Sequence, residues 1–195
     1  MPLTELAPGL HRWTAWHEEW KEDVGSVAVE TDDGLVLIDP LDPPRELGRP
    51  DHALVTVFFH ARSTKARQVW AHERLVRRLA SRGVEVNRPF TTGDPLPGGI
   101  RVLQTARADE VVYWLPRQKA VVVGDVLLGA GAKPRATDEP LRLCPERWLG
   151  GGATHDDLRD SLAPLLELPV VRVLVSHGEP VVRGGGRALA TVLAG

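Results

Sequence analysis

Short apolar runs separated by turn residues recur along the 195-residue chain. Residues 25–30, the step Thr31-Asp32-Asp33-Gly34 and residues 35–38 read as a hairpin, because Asp-Gly supplies the positive φ that a tight turn requires. Asp39-Pro40 ends it. Residues 53–59 are almost unbroken in β-favouring side chains, the pattern of a strand buried on both faces. Over residues 64–82 the period changes: Val69, Trp70, Leu75, Val76 and Leu79 share one helical stripe, and Gly83 supplies the stop, so a helix is predicted there. Strands are predicted at 100–105, 110–115 and 120–123. A helix follows over about 155–168, with Thr154 placed to cap it, then a strand at 170–175 and a closing helix at 186–193. The order is mixed α/β, and residues 1–195 read as one domain.

Composition narrows the class. Apolar residues make up 43% and charged residues 26% with both signs interspersed, which excludes a disordered chain. Nineteen glycines and sixteen prolines lie between apolar runs rather than pooled, as short elements joined by tight turns require. The net charge of −2 provides no footprint for a nucleic-acid backbone or an anionic membrane, so neither partner is expected. Cys144 is the single cysteine, which excludes an internal disulfide and a cysteine-rich zinc site. The N-terminal residues show no signal-peptide pattern, and the most apolar stretch, 120–132, carries Asp125 and is too short to cross a bilayer. The expected compartment is the cytoplasm.

Candidate chemistry gathers at three strand ends. In Phe58-Phe59-His60-Ala61-Arg62-Ser63-Thr64-Lys65 a buried-looking strand ends in a histidine. Val121-Val122-Val123-Gly124-Asp125 is an apolar strand ending in Gly-Asp, and Val173-Leu174-Val175-Ser176-His177-Gly178 is one ending in His-Gly. Together with the opening hairpin and its terminal Asp39, these segments resemble, in order and over essentially the whole chain, landmarks of the metallo-β-lactamase superfamily. That resemblance implies a four-layer αβ/βα sandwich with mixed sheets. The superfamily's His-x-His-x-Asp-His loop is reduced here to its first histidine, His60. Where its Gly-His-x-x-Gly turn would stand is Thr105-Ala106-Arg107-Ala108-Asp109, with Ala106 or a close neighbour in the histidine's place.

Carried over by resemblance, His60 would serve one metal site, His177 the other, and Asp125 would bridge them. Each site then keeps two ligands at most, so the two-metal hydrolase chemistry is expected to be lost and no cofactor is expected. Arg62, Lys65 and Arg107 supply positive charge near Asp125, and an ion-pair cluster replacing the metal centre follows, with a pocket for a small anionic molecule. Two rivals stand beside it. One is a hydrolase of an ester or thioester-like bond using a single zinc, iron or manganese ion on His60, Asp125 and His177. The other is a homodimeric structural protein using Trp13, Trp16 and Trp20, which recur at helix-like intervals and otherwise pack over the sheet edge. Ser63 and Ser176 lack a nucleophile elbow, and Cys144 reads as a packing residue. His72, on the predicted first helix, reads as a surface residue.

Overall fold

The computed structural model describes residues 3–61 and 63–195. A first sheet takes seven strands in sequence order: β1 Thr4–Ala7, β2 Leu10–His17, β3 Glu22–Thr31, β4 Gly34–Ile38, β5 His52–Leu54, β6 Gln68–His72 and β7 Arg88–Phe90. Pairing is antiparallel from β1 to β4 and parallel from β4 to β7. A short helix, α1 Glu73–Ala80, joins β6 to β7. A second sheet is built from β8 Arg101–Gln104, β9 Val111–Leu115 and β10 Ala120–Val123. Next come the two-stranded β11 Leu127–Gly129 and β12 Leu141–Leu143, α2 His155–Leu162, β13 Arg172–Val175 and α3 Gly185–Leu193. The second sheet runs β13-β10-β9-β8, with β13 parallel to β10 and the rest antiparallel. The sheets are therefore mixed, as expected.

Strand alternation divides the core into layers. Val111, Tyr113, Leu115 and Val122 point at Val27, Val36, Ile38 and Leu54 of the first sheet. Their neighbours Val112, Trp114, Val121 and Val123 point the other way, against Leu158 and Leu162 of α2 and Leu189 of α3. On the far side of the first sheet, Leu75 and Leu79 of α1 cover Val55 and Ala71. Helix, sheet, sheet and helices give the αβ/βα sandwich. Thr154 caps α2 in a reciprocal capping box with Asp157. None of the described helices is long and apolar enough to cross a membrane.

Four expectations are corrected. The helix predicted over 64–82 is a strand, β6, followed by the eight-residue α1. Val69 and Ala71 are buried between β5 and β7, and that slot outweighs the local helical spacing. His72 is fully buried at the junction, where its ring accepts the Arg74 amide as the N-cap of α1. The strand predicted over 53–59 shortens to β5 and a 3-10 turn, Phe58–His60. The three tryptophans do not share a helix face: Trp13 and Trp16 sit on β2, where a three-residue step puts them on opposite faces, 2% and 49% exposed.

Candidate metal centre

Parallel pairing brings the candidate side chains together. Val123 of β10 is in register with Val175 of β13, so Asp125 and His177 leave the second sheet at the same edge. In the first sheet β4 and β5 are also parallel, which places Asp39 beside the turn that carries His60. Gly124 is required at the junction, because a Cβ there would come within 2.5 Å of Thr56 Oγ1. Gly178 has φ +82°, and a Cβ would meet the Gly129 and Ala130 carbonyl oxygens at 2.6 Å.

His60, Asp125 and His177 are all buried, and one donor atom from each lies within 4.8 Å of the other two. Asp125 Oδ1 is 3.1 Å from His60 Nε2 and 3.1 Å from His177 Nε2. His60 Nδ1 is 2.9 Å from Asp39 Oδ2, and Asp39 Oδ1 accepts the Thr56 amide at 2.8 Å. Despite its short distance to Asp125, His60 Nε2 is out of line for a hydrogen bond and has none. His177 Nδ1 is 3.0 Å from Glu22 Oε1, likewise out of line.

A single tetrahedral ion with bonds of about 2.0–2.2 Å would space its ligands roughly 3.3 Å apart, close to both distances on Asp125 Oδ1. A buried imidazole nitrogen without a hydrogen bond, on a ring whose other nitrogen meets a carboxylate, is also how a metal-ligating histidine is held. The donor set therefore fits one ion, which amends the expectation that no cofactor has a place here. Asp125 Oδ2 lies 2.7 Å from Arg107 Nη1. Asp39 and Glu22 on the outer ring nitrogens were not singled out from the sequence, although Asp39 was visible as the hairpin's terminal aspartate.

The charged groups form a chain. Arg107, buried, also reaches Asp109 through Nε at 2.9 Å and Glu110 Oε2 at 3.4 Å. Burial works against its charge, but Glu110, Asp125 and Asp109 outweigh this and raise its pKa. Glu110, which sequence reasoning missed, accepts the Asp125 and Val126 amides at 2.8 and 3.0 Å through Oε1. Burial and Asp125 push it up to about 8 against the pull of Arg107. Burial opposes the charge on His60, yet Asp125 and Asp39 raise it to about 10. Burial likewise disfavours ionised Asp125, but His60 and His177 hold it well below the usual carboxylate range. His177 is raised, because Asp125 and Glu22 outweigh burial.

Among the described residues, Arg107 is the cation proposed from the sequence that is placed on Asp125. Lys65 is exposed and lines a separate depression with Arg82 and Asn87, because the chain after His60 runs out to β6 instead of entering a helix. Arg62 lies outside the described residues. Ala106 faces the core and donates its amide to Ser161 Oγ, leaving the turn's next side chain, Arg107, to enter the cleft. Ser63 Oγ accepts the Asp42 amide, and burial raises the Cys144 thiol to about 12, so neither is an activated nucleophile.

A cavity of about 480 Å³ opens at Asp125, His177 and Arg107, with Glu22 also in its lining and His60 buried behind them. Trp20, Phe59 and Trp148 form its walls, and Lys133 its rim. The Trp20 ring centroid is 5.7 Å from that of His60 and 5.3 Å from that of His177. Such a mouth, apolar with a few convergent polar groups, is the usual form of a small-molecule site.

The layers and the mixed sheets are those of the metallo-β-lactamase fold. A metallo-β-lactamase from Pontibacter korlensis superposes with a TM-score of 0.68 at 18% identity, over 99% of this chain and 98% of that one. The metallo-β-lactamase FIM-1 from Pseudomonas aeruginosa, in a mono-zinc form, gives 0.66 at 15% identity over 99% and 94%. One from Hirschia baltica gives 0.65 at 14% identity over 98% and 97%. No protein-family model and no curated protein sequence matches the chain.

Proposed function

We propose that the chain is a hydrolase holding one divalent transition-metal ion on His60 Nε2, Asp125 Oδ1 and His177 Nε2, acting on a small ester or thioester-like bond. The observation that carries this reading is the convergence of three buried donors, one of them a histidine nitrogen with no hydrogen bond. The mono-zinc form of the structurally similar FIM-1 supports the stoichiometry. Two histidines and a carboxylate are an adequate ligand set for catalytic zinc.

When bound, the ion supplies Lewis acidity for a polarised carbonyl or water. The chain's own residues do the rest. Asp39 holds His60 by Nδ1 so that Nε2 is turned toward Asp125, and Arg107 occupies Asp125 Oδ2 so that Oδ1 is left for the two imidazoles. Trp20, Phe59 and Trp148 receive the apolar body of the substrate and displace water from it. Arg107 takes the place of the second cation, which sets this site apart from a dinuclear one.

A second reading, a metal-free pocket for a small anionic molecule, is favoured by one observation: without metal, His60, Asp125, His177 and Arg107 already pair with one another. Metal analysis of protein purified without chelator, followed by zinc titration of stripped protein by calorimetry, separates the two. One equivalent, lost in His60→Ala and His177→Ala, is expected for the metal enzyme. Two equivalents, or no binding by about 100 μM zinc, would sink it.

A further inference from the structure

We infer that the chain has a second ligand site, a basic groove that takes a small molecule carrying linked phosphates on an apolar body, of the nucleoside diphosphate class. The groove, about 950 Å³, lies between β12, the start of α2, segment 181–184 and α3. It shares no lining residue with the cavity at Asp125 and His177. Four arginines, Arg142, Arg159, Arg183 and Arg187, line it against one acidic side chain, Glu139. In a chain of net charge −2 this is a local concentration of the opposite sign.

The arginines differ in how far they are already engaged. Arg142 donates through Nη2 to the Ala132 carbonyl at 2.7 Å, and Arg159 through Nη1 to Asp156 at 2.7 Å. The Nε atoms of both are buried without a hydrogen bond. Arg183 and Arg187 are exposed, and among the described residues neither has an ion pair. Two guanidiniums held by the chain and two exposed ones thus line the same groove, where an anion can meet them. Guanidinium forks match the paired oxygens of phosphate, and each charge-assisted contact is stronger than a neutral one.

The floor decides the remainder of the ligand. Leu143, Val170, Val181 and Val192 add apolar side chains to the lining, a surface that a phosphate ion alone leaves uncovered and the body of a nucleoside covers. The N-terminus of α3 is not the anchor. The Gly185 and Gly186 amides are each 2.9 Å from the carbonyls of Val171 and Val170, so recognition rests on side chains.

The test is a calorimetric titration of chelator-treated protein with ADP, and with pyrophosphate as the probe of charge alone, at low salt. ADP is expected to bind at one equivalent with Kd of about 10–100 μM, and pyrophosphate more weakly. Arg183→Glu/Arg187→Glu, both at exposed positions, should keep the wild-type melting temperature and weaken ADP at least about tenfold. No ADP binding up to about 1 mM, or unchanged affinity in the double variant, would overturn the site. Because chelator is present throughout, the result does not depend on whether His60, Asp125 and His177 hold a metal.

Discussion

Replacing Arg107 by leucine removes the cation paired with Asp125 in the cleft. Its guanidinium is 2.7 Å from Asp125, 2.9 Å from Asp109 and 3.4 Å from Glu110, with 6% of the side chain exposed. Removing one partner of a buried ion pair costs about 3–5 kcal/mol, because a desolvated charge is left behind. Asp125 keeps His60 and His177 as partners, and leucine adds apolar contact, so the lower end applies: about 3 kcal/mol. For a domain of this length that lowers the melting temperature by roughly 6–12 °C. Urea unfolding of the stripped protein at pH 7 measures it. Asp125→Asn alone and combined with Arg107→Leu completes a double-mutant cycle, in which a coupling of about 1–3 kcal/mol is expected. The same leucine variant should bind zinc more tightly than wild type, since a like charge next to the ion has gone. A stability loss below about 1 kcal/mol with additive single variants would refute the claim that Arg107 neutralises this site.

In the stripped protein His60 has a folded-state pKa of about 10 against an ordinary 6.5. A raised pKa contributes stability that is complete below the unfolded value and lost as pH rises through the folded one, so the stability gap between wild type and His60→Gln should narrow from pH 7 to 10. Zinc affinity should climb over the same window, by up to about tenfold per pH unit, because the ligand nitrogen must shed its proton; a flat calorimetric profile would contradict this. Tyr113→Phe deletes a buried hydroxyl that donates to the Val55 carbonyl at 2.8 Å, and should cost about 1–2 kcal/mol in urea unfolding. Thr154→Ala breaks the capping box of α2 and should cost about 1 kcal/mol by the same measurement, with zinc binding unchanged.

Much of the fold was legible because strands carry their own signature. The hairpin of β3 and β4, the strands β8, β9, β10 and β13, and the capped α2 all fall where alternation, Asp-Gly and Thr154 place them. The element that escaped was β6, whose Val69 and Trp70 fit a helical stripe as well as a strand. A five-residue apolar segment cannot declare its period, and the parallel slot between β5 and β7 settled it. His60, Asp125 and His177 were legible as residue types at strand ends. Asp39, Glu22 and Glu110 were not, since a carboxylate's role beside a histidine or an amide depends on which strand ends meet.

By itself the chain's order of residues determined the inventory: short apolar strands punctuated by glycine and proline, a Gly-Asp and a His-Gly at two strand ends, and His60 after a third apolar run. Only the tertiary structure decided that those ends meet, that Asp125 offers one oxygen to two imidazoles and the other to Arg107, and that Lys65 turns away. The physical reason is range. Propensity, capping and turn chemistry act within a few residues, whereas the spacing of the His60, Asp125 and His177 donors is set by the register of β10 on β13 and by the packing of one sheet on the other.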